Sequence, residues 1–390
     1  MAMTIGPLHL FQCSEEQHGL KRLQHGWEKE RFASMDLVGG PATCPHKGPI
    51  MHLSLDHLHQ EFLLACSGDG VIGVYRESQE ESSCLEVLCS LNKDWPGNHT
   101  KAIHSVDWYP IDNGIFVSGS QDRTVKVWDS NALECVLSFD MEGSVFGTAM
   151  SSIATSHNLV AITGEMHAVT LGDIASGSAT HILSGHSRPV WSCAWSSTSE
   201  WELMSAGTDG QVRLWDIRRP GSLHVFDMND TLRYSSSVPH EEAPRSDLCQ
   251  AHTAPVTGCG YVPGGLFFMS TGNDGKAKLW DMRSRKHLLK HYQKRMSKTR
   301  YVRQMSFSED GRFLFHPSEN MVYVFDIVSG RLVNSLEGGH YAQVHCCAWN
   351  AKREHLYTAG ADKSLLIWGM ETRFLDADMR DKDEWSDDYN

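Results

Sequence analysis

Paired cysteines are missing from this chain. Its 11 cysteines include no C-x-x-C. Their odd number, scattered at Cys66, Cys89, Cys193, Cys259, Cys346 and elsewhere, reads as buried thiols in a reducing compartment and not as a disulfide framework. Cys44-Pro45-His46 has no second pair of ligands, so no metal is expected there. Long apolar runs are equally scarce. No stretch reaches the roughly 18 apolar residues that cross a bilayer. The opening MAMTIGPLHLFQCSEE lacks the basic region and apolar stretch of a signal peptide, so no membrane is expected as a partner. Base is short relative to acid: Lys+Arg 35 against Asp+Glu 48 leaves a net charge of −13. That balance argues against nucleic-acid binding by phosphate neutralisation, and so against direct nucleic-acid contact. There is no Gly-rich phosphate loop, His/Cys cluster or nucleophile motif. No catalytic residue, cofactor or metal is expected.

What the chain has is an internal period. Trp-Asp occurs at Trp128-Asp129, Trp215-Asp216 and Trp280-Asp281, each preceded six residues earlier by Asp122, Asp209 or Asp274. The slot recurs in weaker form at Val74-Tyr75, Gly172-Asp173, Phe325-Asp326 and Trp368-Gly369. Successive spacings of 54, 44, 43, 65, 45 and 43 contain four at the length of a four-stranded propeller blade and two with an insertion. The fold class this implies is all-β: a seven-bladed propeller over 34–370, with a helical segment over 1–33 and an acidic tail over 371–390.

A polar set repeats in step. His46, His99, His186, His252 and His340 each stand nine residues before a large apolar residue that ends the following strand. The acidic turn position reads Asp69, Asp122, Asp209, Asp274, Glu319 and Asp362. A His/Asp/Ser set repeated in several blades is a packing network and not several active sites. The Asp orients the His, and the His bonds through the blade towards Ser/Thr and Trp. The third repeat has Met141 and Met166 at these positions, and the sixth has Lys298 in place of the His. Those blades are expected to rely on apolar packing.

Outside the repeat, residues 14–33 read as an amphipathic helix. Ser14 caps it, and Leu20, Leu23 and Trp27 form its apolar stripe, destined for the propeller flank or a partner's groove. Ser34 to Val38 has strand character and is placed to complete the last blade from the N-terminal side. The longest insertion, Asn229 to Gln250, is polar and rich in Ser and Pro, and it is expected on the face opposite Arg218. Met282 to Arg303 carries nine Lys/Arg and no acid, and reads as a solvated connection between blades. The tail reads as disordered, with Trp385 an anchor for a partner.

Three residues after the slot Trp stand Arg218, in LMSAGTDGQVRLWDIRR, and Arg283, in FMSTGNDGKAKLWDMR. Adjacent blades thus offer guanidiniums from equivalent loops of one face, a geometry suited to bidentate capture of a partner's carboxylates or carbonyls. Asp216 and Asp281 complete each phrase.

These phrases resemble the signature of WD-repeat substrate receptors of the cullin-RING ubiquitin ligase that uses the damaged-DNA-binding protein adaptor. SGDGVIGVY, WYPIDNGIFVSGSQDRTVKVWD, SGHSRPVWSCAWS and GGHYAQVHCCAWN narrow the likeness to the Cockayne syndrome A family of these receptors, across all seven blades and both termini. The resemblance implies that Arg218 and Arg283 touch the adaptor and that the helical segment with Leu20, Leu23 and Trp27 docks there too. It also implies cullin and RING subunits as further partners. A nuclear role follows from it, in transcription-coupled nucleotide excision repair, with recognition of Cockayne syndrome protein B at a stalled RNA polymerase II. A ligase-independent scaffold that binds peptides explains the fold and charge equally well, though not the paired arginines.

Overall fold

A computed structural model of the chain describes residues 28–38, 42, 44–78, 85–230, 249–288, 292, 299 and 301–370. Every strand in it belongs to one of seven four-stranded antiparallel sheets. Six sheets are built from consecutive strands, innermost first, over 50–91, 103–140, 145–184, 190–225, 256–288 and 306–336. The seventh combines three strands over 344–370 with Met35–Leu37 from the other end of the chain. Met35 pairs with Met370 and Leu37 with Trp368. That pairing closes the ring and leaves no open blade edge at the seam, as the strand character of Ser34 to Val38 predicts.

The period has a plain physical origin. Each slot falls on the third strand of a blade, where in every blade but the third a large ring fills the space between neighbouring sheets; at Gly172 the Phe139 ring of the preceding blade lies close instead. Trp128, Trp215, Trp280 and Trp368 are fully buried. The core lies between blades, as in the cluster of Leu64, Ile72, Val106, Phe116 and Trp128. Second strands such as Leu203 and Met204 are apolar on both faces because both are covered. Gly210 holds a φ of 79° in the turn before the fourth slot. A Cβ there would sit 2.4 Å from the carbonyl oxygen of His252.

Two details differ from the sequence reading. In the first blade the bulge between Val74 and Tyr75 matches the bulge between Val127 and Trp128 in the second. Tyr75 therefore takes the Trp place and Arg76 the Asp place, one residue later than Val74-Tyr75. In the sixth blade the inner strand shrinks to Ser306–Phe307. Arg303 and Gln304 turn their amides to Thr257 and His345 of the flanking blades, and the Gln304 side chain bonds both backbone groups of Leu53. The third blade packs Met141 and Met166 beside Val145 and Ile162, apolar as expected. Lys298, Leu20, Leu23, Trp27, Trp385, residues 231–248 and most of the basic segment lie outside the described residues.

Candidate functional site

The repeated polar set forms in full in four blades. His186 Nδ1 faces Asp209 at 2.9 Å and Nε2 faces the Ser205 hydroxyl at 2.8 Å, while Trp215 Nε1 donates to that hydroxyl at 2.7 Å. A carboxylate only accepts, so Nδ1 donates to Asp209; in the tautomer with its proton on Nδ1, the Ser205 hydroxyl donates to Nε2. His99, Asp122, Ser118 and Trp128 repeat the chain at 2.9, 2.7 and 2.8 Å. His252, Asp274, Ser270 and Trp280 do so at 3.0, 2.8 and 2.9 Å. His340, Asp362, Thr358 and Trp368 do so at 2.6, 2.8 and 2.8 Å. Burial lowers the pKa of His99 and His252. For Asp122, Asp209 and Asp274 burial pushes upward, but the His bond and further donors outweigh it and hold each below the ordinary carboxylate range. All hydroxyls and nitrogens of the set are engaged within the blade, which is the arrangement of a strut.

His46 and Asp69 depart from this. His46 Nδ1 bonds Ser67, not Asp69, and Nε2 is buried without a partner among the described residues. Ala65 stands where the other blades place the shared hydroxyl, and Tyr75 brings no indole N–H. Ser67, two residues on, instead links the His to Asp69. Asp69 still accepts from the Lys47 amide, as its counterparts do from Thr100, Ser187 and Thr253.

Antiparallel topology sends the loops between first and second strands, and between third and fourth strands, to one face. Arg218 follows the third strand Val212–Asp216 and Arg283 follows Ala277–Asp281, so both stand on that face in neighbouring blades. They are not equivalent. Arg218 Nε and Nη2 donate to Asp216 Oδ1 and Oδ2 at 3.0 and 2.9 Å, and the guanidinium lies over the Trp201 ring at 5.3 Å. The fork expected to be free is thus half used by its own blade. Asp216 caps the turn through the Arg218 amide and its oxygens face back along the side chain. No bond among the described residues engages Nη1, and the side chain is 55% exposed. At Asp281 the Ser284 hydroxyl takes the second carboxylate oxygen at 2.7 Å. Arg283 gives Asp281 only its amide, and its exposed side chain lines an open groove of about 470 Å³ with Leu266, Phe267, Leu288 and Val328.

Sequence reading missed Leu266 and Val328, 63% and 61% exposed, because single apolar loop residues carry no motif. They flank Arg283 with apolar surface on the same face. The short helix over 28–33 sits there too. Phe32 is buried against Phe313 at 4.3 Å and Trp349 at 5.4 Å, while Glu28 pairs with Arg312 and Arg31 with Glu354. The helical segment therefore reaches the ring on the arginine face, between blades six and seven.

The chain matches the WD domain, G-beta repeat family over 90–129, 177–216, 245–281 and 330–369. These stretches end on the slots of the four blades with the complete His/Asp/hydroxyl/Trp strut. Among curated proteins it is 33% identical to WD repeat-containing protein ATCSA-1 of Arabidopsis thaliana, over 88% of this chain and 92% of the relative. It is 25% identical to a guanine nucleotide-binding protein subunit beta of Oryza sativa subsp. japonica, over 69% of this chain and 81% of that protein. It is also 25% identical to Radiation-sensitive protein 28 of Saccharomyces cerevisiae, over 47% of this chain and 38% of that protein. WD-repeat propellers are typically non-catalytic scaffolds, and in the four struts the His and Asp side chains are bonded to each other within the blade. With its seven blades, closing N-terminal strand and near full-length likeness to the Arabidopsis protein, the chain belongs to the WD-repeat family that includes ATCSA-1.

Proposed function

We propose that this chain is a substrate receptor of a cullin-RING ubiquitin ligase, held by the damaged-DNA-binding protein adaptor and working in the nucleus in transcription-coupled nucleotide excision repair. The observation that carries the reading is that Arg218, Arg283, the Leu266/Val328 groove and the 28–33 helix share one face. The motif resemblance and the likeness to ATCSA-1 support it. On this reading the adaptor covers the arginine face, and the His-bearing face stays open for targets such as Cockayne syndrome protein B and RNA polymerase II. Arg218 presents its outer edge, fixed in direction by Asp216 and Trp201; Arg283 presents an exposed side chain at the edge of the groove. The receptor breaks no bond. It raises the effective concentration of target lysines near the conjugating enzyme.

Arg218→Ala with Arg283→Ala is expected to weaken adaptor binding by about 2 kcal/mol or more, measured by calorimetry on the purified adaptor. Arg218→Lys is expected to lose most of that as well, since an ammonium lacks the rigid planar fork that holds Asp216 with one edge and presents the other to a partner. Undiminished binding by the folded double variant refutes the assignment. The pairing of Arg218 with its own Asp216 favours a second reading, a ligase-independent peptide scaffold in chromatin or signalling complexes. An affinity pull-down separates the two: cullin and adaptor are recovered on the first reading, and only peptide-bearing partners on the second.

A further inference from the structure

The first strand of each blade runs along the central channel. In six blades it bulges at its second residue, and the extra residue is Met51, His104, Phe146, Trp191, Thr257 or His345. A bulge re-aims one side chain out of the regular alternation. Here the bulges lie at the channel end that faces away from Arg218. Thr257 and His345 turn aside to the carbonyls of Thr271 and Ile50. The other four, with Gln121, Tyr301 and Val302, line one cup of about 220 Å³.

The cup is aromatic and carries no acid. His104 meets Phe146 edge to face at 5.3 Å, and Tyr301, 47% exposed, packs on His345 at 5.3 Å. Burial lowers the His104 pKa to about 4, so its ring is neutral. Behind Tyr301, burial lowers the His345 pKa, and the Arg303 cation and the Asp362 carboxylate act on it in opposite directions. A Lys or Arg entering the cup would lose its hydration with no carboxylate to replace it. The volume falls below the roughly 300–1,000 Å³ of small-molecule pockets and is of the order of one side chain. The Trp191 indole N–H and the Gln121 amide engage no acceptor among the described residues, which leaves donors at the rim for backbone carbonyls.

We propose that this cup binds a single uncharged aromatic side chain of an extended partner peptide, gripped between Phe146, Trp191 and Tyr301. It is independent of what covers the arginine face. The test uses the full chain and blocked peptides of one otherwise uncharged sequence that differ only at a central Trp, Tyr, Leu, Lys or Glu. Binding is followed by saturation-transfer NMR and calorimetry. The Trp and Tyr peptides bind more tightly than the Leu peptide, and the Lys and Glu peptides show no transfer. Trp191→Ala, and separately the loop variant Tyr301→Ala, weaken the aromatic peptides about tenfold with the melting temperature unchanged. Arg218→Ala leaves peptide binding as it was. Absence of binding by every peptide at millimolar concentration overturns the proposal. So does preference for the Lys peptide, or full affinity in the folded Tyr301→Ala variant.

Discussion

One hydroxyl in each strut serves two rings. Ser205 accepts from Trp215 and donates to His186, so Ser205→Ala strands two buried nitrogens at once. The expected cost is about 3 kcal/mol, within the range for leaving buried polar groups unsatisfied, measured by urea unfolding. His46 supplies the contrast. Its Nε2 has no partner among the described residues and it makes no direct bond to Asp69, so His46→Leu is expected to cost less than His186→Leu in the same assay. Equal costs would mean that the carboxylate contact adds nothing. The sequence pattern shows a His and an Asp in both blades, yet it does not show Ala65 in place of the hydroxyl as the deciding residue. A strut needs all four members, and spacing tests only some of them. Arg218 was legible as an exposed loop residue, but its bond to Asp216 was not, because the turn that folds it back depends on backbone geometry.

At the level of elements, the repeat was readable because the third strands of six blades bury a large ring at the same depth, with Gly172 in that place in the third blade. Tyr75 was misplaced by one residue because a tyrosine beside a valine gives no Trp-Asp marker. The closing strand was readable from the strand character of Ser34 to Val38. The bulges were not, since no residue type is required there and Met, His, Phe, Trp and Thr all occupy them. The helix over 28–33 is held chiefly by Phe32, buried among Phe313, Phe315 and Trp349. Phe32→Ala is expected to destabilise the protein by about 3–5 kcal/mol. The Glu28–Arg312 and Arg31–Glu354 pairs are partly exposed, and neutralising either is expected to change stability by less than about 1 kcal/mol. Thermal melts of the three variants rank them.

Across the whole molecule, buried histidines set the response to acid. Burial lowers His46, His52 and His104 to about 4, and lowers His99 and His252 as well. The unfolded chain takes up these protons near pH 6.5. The fold therefore binds fewer protons, and its stability falls as pH drops from about 6.5 towards about 4. Asp107, raised by burial to about 7, runs the other way and costs stability as pH climbs from about 4 to about 7. Several histidines oppose one carboxylate, so the melting temperature is expected to fall steadily on acidification through that window. A flat or rising profile in calorimetric scans would show that these rings are charged in the fold.

The pairing of Met35 with Met370 has a consequence for how the protein is made. The first of the described strands to be synthesised waits for a partner that is the last of them. Until Leu365–Met370 appears, the ring is a horseshoe with two bare sheet edges. Deletion of Leu365–Met370 strips the seventh blade of two of its four strands, because Met35–Leu37 pairs with no other strand among the described residues. Loss of these six residues thus acts on the joint of the circle, and the damage bears no proportion to the length removed.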